Sequence, residues 1–289
     1  MKVRDCLVEL QQSIPQNEAE LLLIHILNQG QENLRLSRFH LLSESNREIS
    51  NSDVQAVRNL ALKRSQGIPL QHLTGVQFFG EHEYKVSSAV LIPRPETEIL
   101  LREVLEAFEE RSKPMRGLEV GLGSGILSIE LLSHFPGLNM LATEVSENAI
   151  RVARENAEVI LGKGYPASLD IIRVLDPNEV LEGVLSSAVP QFDFILSNPP
   201  YLKKSSQEVE KQVLDYEPSG ALFPENGNPS HFYEKLACDS RRLLGPEGRL
   251  FLEVPHERSE EIVSFFQLKG WKTELRPDLS GRPRVLICR

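Results

Sequence analysis

The sequence predicts an α/β protein with a doubly wound, mostly parallel, seven-stranded sheet, a small N-terminal all-helical domain and a β-hairpin linker. Short hydrophobic strands alternate with helical patterns from about residue 116 to the end of the chain. That alternation is typical of a parallel sheet whose two faces are covered by helices. Residues 1–75 have the periodicity of helices. Residues 76–92 hold short β-rich runs bounded by glycines, which favours a hairpin.

The helical domain is predicted from two amphipathic patterns. In the first, apolar residues follow the i, i+3, i+4, i+7, i+8 stripe of a helix, namely Ala19, Leu22, Leu23, Ile26 and Leu27. In the second, residues 51–67 begin with a Ser-Asp cap and place Val54, Val57 and Ala61 along one face. The stretch 32–45 between them fits no single period. We expect a small bundle over residues 1–75.

The remaining elements follow in order. Runs at 76–79 and 84–86 form the hairpin of the linker, residues 76–92, and a helix over 96–110 opens the third domain, residues 93–289. Buried strands are predicted at 117–120, 138–144, 169–175, 192–197, 249–254, 271–278 and 282–289, and helices at 126–135, 146–160, 231–244 and 257–270. The last two strands have no helix between them, so we expect one antiparallel strand.

Composition excludes several classes of protein. The 289 residues are 40% hydrophobic and 25% charged, as in ordinary globular proteins, and no apolar run approaches the roughly 18 residues of a membrane span. The N-terminus lacks the pattern of a signal peptide, and three scattered cysteines fit a reducing compartment, so we expect a cytoplasmic protein. The seven histidines show no metal-ligand spacing, and we predict no metal. A net charge of −9 argues against nucleic acid as the main partner.

A glycine-rich loop follows the first strand of the sheet. Gly121, Gly123 and Gly125 allow a tight turn and close approach of backbone N–H groups to a ligand. Ile126 stands where the dinucleotide fingerprint requires glycine or alanine, which disfavours NAD. Glu144 ends the second strand, where a carboxylate accepts hydrogen bonds from ribose hydroxyls. These features favour an adenosine ligand without phosphates, and S-adenosylmethionine fits.

The predicted cofactor residues are Gly121, Leu122, Gly123, Ser124, Gly125, Glu144, Asp176 and Asn198. Asp176 follows the third strand and could accept a hydrogen bond from the adenine amino group. An ordinary loop aspartate is an equally good interpretation of it.

The fourth strand ends in Asn-Pro-Pro-Tyr, residues 198–201. Proline fixes its own φ and restricts the preceding residue, so this loop is rigid before a substrate arrives. The Asn198 side-chain oxygen and the Pro199 carbonyl can hold the two hydrogens of an –NH₂ group, and Tyr201 offers a flat face. We predict Asn198, Pro199 and Tyr201 as catalytic and Asn198, Pro199, Pro200 and Tyr201 as substrate-binding, in methyl transfer to nitrogen. A rigid turn is the competing interpretation.

Several motifs together resemble those of the bacterial protein-(glutamine-N5) methyltransferases that act on peptide chain release factors, the PrmC/HemK family. They are HLTG at 72–75, IPRPETE at 92–98, LEVGLGSG at 118–125, NPPY at 198–201 and YEPSGALF at 216–223. The resemblance implies a Rossmann-like class I methyltransferase fold, S-adenosylmethionine as cofactor, and the glutamine of the Gly-Gly-Gln motif in class 1 release factors as substrate. It also implies that residues 1–75 dock the release factor. Arg94 and Glu96 would line the cofactor pocket, or else form a salt bridge that pins the linker. We expect a monomer.

The chain departs from the family pattern at a few positions. Leu122 replaces a hydroxyl residue, Glu144 replaces the usual aspartate, and Pro177 and Asn178 stand where an aromatic residue is common. The alternative function is an amino-methyltransferase of adenine or cytosine in nucleic acid, which shares the NPPY motif but needs a basic groove. A non-catalytic binding module is a further alternative, against which the intact NPPY motif argues.

Overall fold

The computed structural model describes residues 1–29, 36–109, 113–176, 181–185, 191–202, 211–224, 228 and 230–289. The chain divides into two compact units. The helical unit comprises Met1–Val76 and Lys211–Tyr216, and the sheet unit comprises Gln77–Glu210 and Glu217–Arg289. Each unit is described by itself.

The helical unit holds α1 Val3–Leu10, α2 Gln16–Asn28, α3 Arg38–Ser43, α4 Asn51–Ser65 and α5 Leu70–Thr74. The predicted stripes of α2 and α4 are buried and meet in one apolar cluster. The Ser50 side chain caps α4 by accepting a hydrogen bond from the Asp53 N–H at 3.0 Å. Burial of one face of each amphipathic helix explains why a few short helices form a stable bundle.

A hairpin, β1 Val76–Phe79 and β2 His82–Lys85, spans the boundary at Gln77 where the sheet unit begins, and helices and strands then alternate. The elements that follow in the chain are α6 Thr97–Phe108, β3 Met115–Val120, α7 Ile126–His134, β4 Leu138–Glu144, α8 Glu147–Leu161, β5 Leu169–Arg173, α9 Glu182–Leu185, β6 Phe192–Ser197, α10 Lys211–Tyr216, α11 Ser219–Leu222, α12 Ser230–Leu243, β7 Leu244–Glu253, α13 Ser259–Leu268, β8 Thr273–Pro277 and β9 Pro283–Cys288. Of these, α10 belongs to the helical unit and the others to the sheet unit.

In the described part of the chain, seven strands form one sheet in the order β5-β4-β3-β6-β7-β9-β8. Strands β3 to β7 run parallel to one another, and β9 is antiparallel to both β7 and β8. The predicted fold class, including one antiparallel strand, is confirmed. Because the strand order reverses between β3 and β6, the carboxyl ends of these two strands flank the switch point where doubly wound sheets bind ligands.

Two apolar clusters form the core of the sheet unit. One contains side chains of α6, α7 and α8, and the other contains side chains of α12 and α13. Gly117 in β3 is part of this packing, since a Cβ there would lie 2.4 Å from Met140 and Phe194. Among the described residues, no helix combines the length and apolar character that crossing a membrane requires.

The hairpin is held against α7 and α8 by buried polar groups. Glu130 on α7 accepts hydrogen bonds from the Tyr84 hydroxyl and the His82 ring, both at 2.9 Å. Asn156 on α8 accepts from the Lys85 N–H at 2.7 Å and donates to the Ser124 carbonyl at 2.9 Å. The residues predicted as a linker therefore pack within the sheet unit, and Asn156 connects them to the glycine loop.

Candidate active site

The glycine loop leaves the carboxyl end of β3 and turns into α7. Gly121, Gly123 and Gly125 have φ of 84°, 56° and 85°, a region that glycine alone adopts without strain. The Gly121 and Leu122 N–H groups both donate to the Thr143 carbonyl, at 3.0 and 3.1 Å, which fastens the loop to β4. A Cβ on Gly125 would meet Ile129 at 2.9 Å, so this glycine serves the packing of α7.

A cavity of about 480 Å³ opens at the switch point above this loop. A Cβ added to Gly121 or Gly123 would meet no atom of the described part of the chain within 4 Å, so these two backbone positions face open space. The predicted residues Leu122, Ser124, Glu144, Asn198 and Pro200 line the cavity with Gly121 and Gly123. The other walls are mostly apolar, as in small-molecule sites, and include Val90, Leu91, Phe223 and Phe232.

Two residues at the end of β4 face this cavity with polar groups. The Glu144 carboxylate accepts hydrogen bonds from the Gly123, Val145 and Ser146 N–H groups, at 2.9, 2.8 and 2.9 Å. These three amides fix the carboxylate in one orientation at the cavity wall. The neighbouring Thr143 hydroxyl is buried and has no hydrogen-bond partner among the residues that the structure describes, so it can serve a ligand.

Glu119 on β3 is a second carboxylate in the wall and is only 2% exposed. It accepts hydrogen bonds from the Ser128 N–H at 3.0 Å and from the Ser128 hydroxyl. Burial, which outweighs these bonds, raises the pKa of the Glu119 carboxyl to about 8. Sequence reasoning did not select Glu119, although its position next to the glycine loop is a usable signal.

Arg94 is the single basic side chain among the described lining residues, and it is ion-paired with Glu217. Glu217 is buried, and it also accepts a hydrogen bond from the Ile92 N–H at 3.0 Å. Both expectations for Arg94 thus apply, since it lines the cavity and pins the IPRPETE segment. Glu96 is half-buried and does not line the cavity. The cavity has no free basic group in its described walls, which disfavours ligands with phosphates.

The Asn-Pro-Pro-Tyr loop leaves β6 directly beside the glycine loop. Ser197 pairs with Val120 in the sheet, and its hydroxyl donates to the Val120 carbonyl at 2.7 Å. Asn198 therefore lies next to Gly121 at the carboxyl edge and lines the cavity. Its amide nitrogen donates to the Thr97 hydroxyl at 3.2 Å. Neighbouring strands thus bring the two predicted motifs together.

Behind Asn198 lies a buried polar network that the sequence analysis missed. The Thr97 hydroxyl donates to Glu253 at 2.8 Å, and the Tyr201 hydroxyl donates to the other Glu253 oxygen at 3.3 Å. Burial raises the pKa of the Glu253 carboxyl and, together with the Glu253 charge, that of the Tyr201 hydroxyl. Glu253 ends the buried strand β7. A carboxylate at the end of a buried strand is the sequence feature by which Glu144 was selected, and Glu253 shares that feature.

Four predicted residues are not among those lining the cavity: Gly125, Asp176, Pro199 and Tyr201. Gly125 supports α7, and Tyr201 packs against the cluster beneath α12 and α13. Pro199 is buried, and Asp176 is partly buried beyond the end of β5. Pro177 and Asn178 lie outside the described residues.

Comparison with known proteins agrees with this geometry. Residues 2–75 match the family model described as the PrmC N-terminal domain, and residues 95–216 match the methyltransferase small domain. The chain is 33% identical over 275 residues to the release factor glutamine methyltransferase of Leptospira interrogans, covering 93% of this chain and 89% of that protein. It is 31% identical to the bifunctional methyltransferase of Rickettsia conorii, of which it spans only 54%.

Among solved structures, the hMettl16 catalytic domain in complex with the MAT2A 3′UTR hairpin 1 superposes with a TM-score of 0.54. The match covers 98% of this chain and 90% of that chain at 14% identity. At this identity the likeness shows a shared fold and nothing further.

Proposed function

Because this chain belongs to the release factor glutamine methyltransferase family, we propose that it methylates the side-chain amide nitrogen, N5, of a glutamine. The substrate is the glutamine of the Gly-Gly-Gln motif in class 1 peptide chain release factors, and the methyl donor is S-adenosylmethionine. The observation that carries the proposal is Asn198, whose amide lines the cavity next to the glycine loop.

The cavity fits S-adenosylmethionine. Gly121 and Gly123 leave a space that any Cβ would enter, and Thr143 offers a buried hydroxyl without a partner. The Glu144 carboxylate in the wall suits a ligand that carries positive charge and no phosphate. We propose that the 121–125 backbone and Glu144 hold the cofactor, and Asp176 remains a candidate for the adenine amino group.

When bound, the cofactor supplies a methyl group activated by a sulfonium. The chain's own residues hold and orient the amide. The Asn198 side-chain oxygen has no hydrogen-bond partner among the described residues, so it can accept one amide hydrogen. We propose that the Pro199 carbonyl accepts the other, and that Pro200, which lines the cavity, and Tyr201, which packs on the cluster beneath α12 and α13, keep this loop rigid. Amide nitrogen is a weak nucleophile because its lone pair is delocalised, so holding it in line with the methyl group can supply up to about 7–11 kcal/mol of the barrier. The amide loses its proton after transfer, and no dedicated base is required.

We assign docking of the release factor to the helical unit, and we propose that the chain acts in the cytoplasm as a monomer. The three cysteines, Cys6, Cys238 and Cys288, are all free thiols, which suits a reducing compartment. Net charge of −9 supports a protein substrate over nucleic acid.

The test is methyl transfer with purified components. The wild-type chain, S-adenosylmethionine and a class 1 release factor are incubated, and mass spectrometry locates the added methyl group. We expect it on the Gly-Gly-Gln glutamine, and none on a release factor in which that glutamine is asparagine. Methyl transfer to RNA or DNA, with none to the release factor, would refute the proposal.

A matched variant tests the role of Asn198. We expect Asn198→Ala to lower kcat by about 100-fold, the typical loss of a hydrogen-bond group directed at the reacting atoms. Cofactor affinity, measured by calorimetry, should weaken only modestly, because the glycine loop and Glu144 remain. Normal turnover by this variant would contradict the proposed orientation of the amide.

A further inference from the structure

The polar network behind Asn198 contains two residues to which the proposed function gives no role: Thr97, which lines the cavity, and Glu253, which is not among its lining residues. Thr97, the first residue of α6, is 2% exposed, and Glu253, the last residue of β7, is 1% exposed. Their side chains are joined at 2.8 Å, and Thr97 in turn contacts the Asn198 amide nitrogen at 3.2 Å. Three residues distant in sequence thus form one chain of hydrogen bonds that ends at the cavity.

This chain of bonds has a direction because of the carboxylate at its far end. An ionised carboxylate only accepts hydrogen bonds, so the single hydroxyl hydrogen of Thr97 is committed to Glu253. The Thr97 oxygen can then only accept, and it requires a donor from its other neighbour. Of the two ends of the Asn198 amide, the –NH₂ group alone meets this requirement.

The consequence concerns the other end of the same amide. The two ends of an asparagine amide have nearly the same shape, and only their hydrogen-bond partners decide which way it faces. With its nitrogen held by Thr97, Asn198 presents its oxygen toward the substrate. In the reverse orientation, the –NH₂ group of Asn198 would face the –NH₂ group of the substrate, and both groups are donors. The Pro199 carbonyl belongs to the backbone and needs no such control.

We propose that Glu253 and Thr97 are positioning residues that set the orientation of the Asn198 amide and so select an –NH₂-bearing substrate. The inference rests on the proposed function, in which Asn198 accepts a hydrogen from the glutamine amide. The Tyr201 hydroxyl is a second donor to Glu253, at 3.3 Å, and this hydrogen bond favours the ionised carboxylate on which the inference depends.

Protonation of Glu253 would reverse the direction of these bonds. A neutral carboxyl can donate to Thr97, whose own hydrogen is then available to the oxygen of Asn198. Burial raises the pKa of Glu253, with Glu96 acting in the same direction, while the Thr97 bond, Arg284 and Tyr201 oppose that rise. The raised pKa means that loss of the productive orientation begins at a higher pH than for an exposed glutamate, and that activity is retained above that pKa and lost below it.

The test compares Thr97→Val, which keeps the shape and removes the hydroxyl, with Thr97→Ser, which keeps the hydroxyl. We expect Thr97→Val to lower kcat about tenfold, because the Asn198 nitrogen loses its acceptor in the orientation that catalysis needs. Because Thr97 lines the cavity, the affinity for S-adenosylmethionine and the melting temperature of this variant are measured alongside, and kcat is compared at saturating cofactor. Thr97→Ser should retain kcat within about threefold, a change of less than 1 kcal/mol.

The pH profile supplies a second readout. The fall of kcat at acid pH should persist in Thr97→Ser and disappear in Thr97→Val, which has no hydroxyl to reverse. Wild-type kcat in Thr97→Val, or equal losses in the Ser and Val variants, would overturn the inference. Absence of release factor methylation by the wild-type chain would instead refute the proposed function.

Discussion

Replacing Glu119 by glutamine should make unfolding of the sheet unit less sensitive to pH. Glu119 is buried beneath the cavity, and burial raises its pKa from 4.5 to about 8. A carboxyl whose pKa is higher in the folded state binds its proton more tightly there. Its contribution to stability is therefore complete below pH 4.5 and is lost as pH rises through 8.

The expected magnitude follows from the size of this shift. Each pH unit between the two pKa values changes the free energy of unfolding by about 1.4 kcal/mol. Relative to its value below pH 4.5, the free energy of unfolding of the wild type is lower by about 3 kcal/mol at pH 7, which is 2.5 units above 4.5. Above pH 8 it is lower by about 5 kcal/mol. Glutamine has the shape of the protonated acid, and its oxygen can still accept both bonds from Ser128. The free energy of unfolding of the variant therefore lacks this dependence on pH.

Urea unfolding at a series of pH values measures the effect. The chain has one tryptophan, Trp271, which is buried in the sheet unit, so its fluorescence reports unfolding of the unit that contains Glu119. The stability of Glu119→Gln minus that of the wild type should rise from near zero at pH 4.5 to about 3 kcal/mol at pH 7. Glu158→Gln, at an exposed position on α8, is the control and should follow the wild type. Parallel curves for Glu119→Gln and wild type would refute the argument.

Three other changes have distinct expected outcomes. Gly123→Ala should destabilise the chain by about 1–2 kcal/mol through its positive φ and abolish cofactor binding measured by calorimetry, because the methyl group enters the cavity. Arg94→Ala should cost about 3 kcal/mol in urea unfolding by leaving the buried Glu217 unpaired, and adding Glu217→Gln should recover most of it; no recovery would contradict the pairing. Gly117→Ala should lower the melting temperature, at a cost of about 1–3 kcal/mol, because its Cβ would overlap Phe194; an unchanged temperature would contradict that packing.

The sequence predicted the fold wherever the pattern is local. The stripe of α2 and the alternation of strands and helices each depend on neighbours within about a dozen residues, and both predictions hold. Periodicity does not specify which strands become neighbours, so the placement of β6 beside β3 followed only from the known behaviour of doubly wound sheets. Packing of the hairpin on α7 was also beyond reach, because Tyr84 and Glu130 are 46 residues apart.

The residues of the candidate site likewise fall into those that sequence position predicts and those that it does not. Gly121, Glu144 and Asn198 each occupy a strand end, and a position at the carboxyl edge can be counted from sequence. The contact between Thr97 and Glu253 spans 156 residues and depends on the side chains of α6 and β7 meeting beneath the cavity. No spacing rule encodes such a contact.

The helical unit is built from two separate stretches of chain, residues 1–76 and 211–216. Cutting the gene after residue 76 would therefore not separate one folding unit from the other. The shortened protein would keep the six-residue helix α10 without the rest of its unit, and α10 follows the Asn-Pro-Pro-Tyr loop in sequence. Lost activity in such a truncation would combine the proposed loss of docking with a disturbed Asn-Pro-Pro-Tyr loop, whereas point changes on α2 or α4 would test the docking proposal alone.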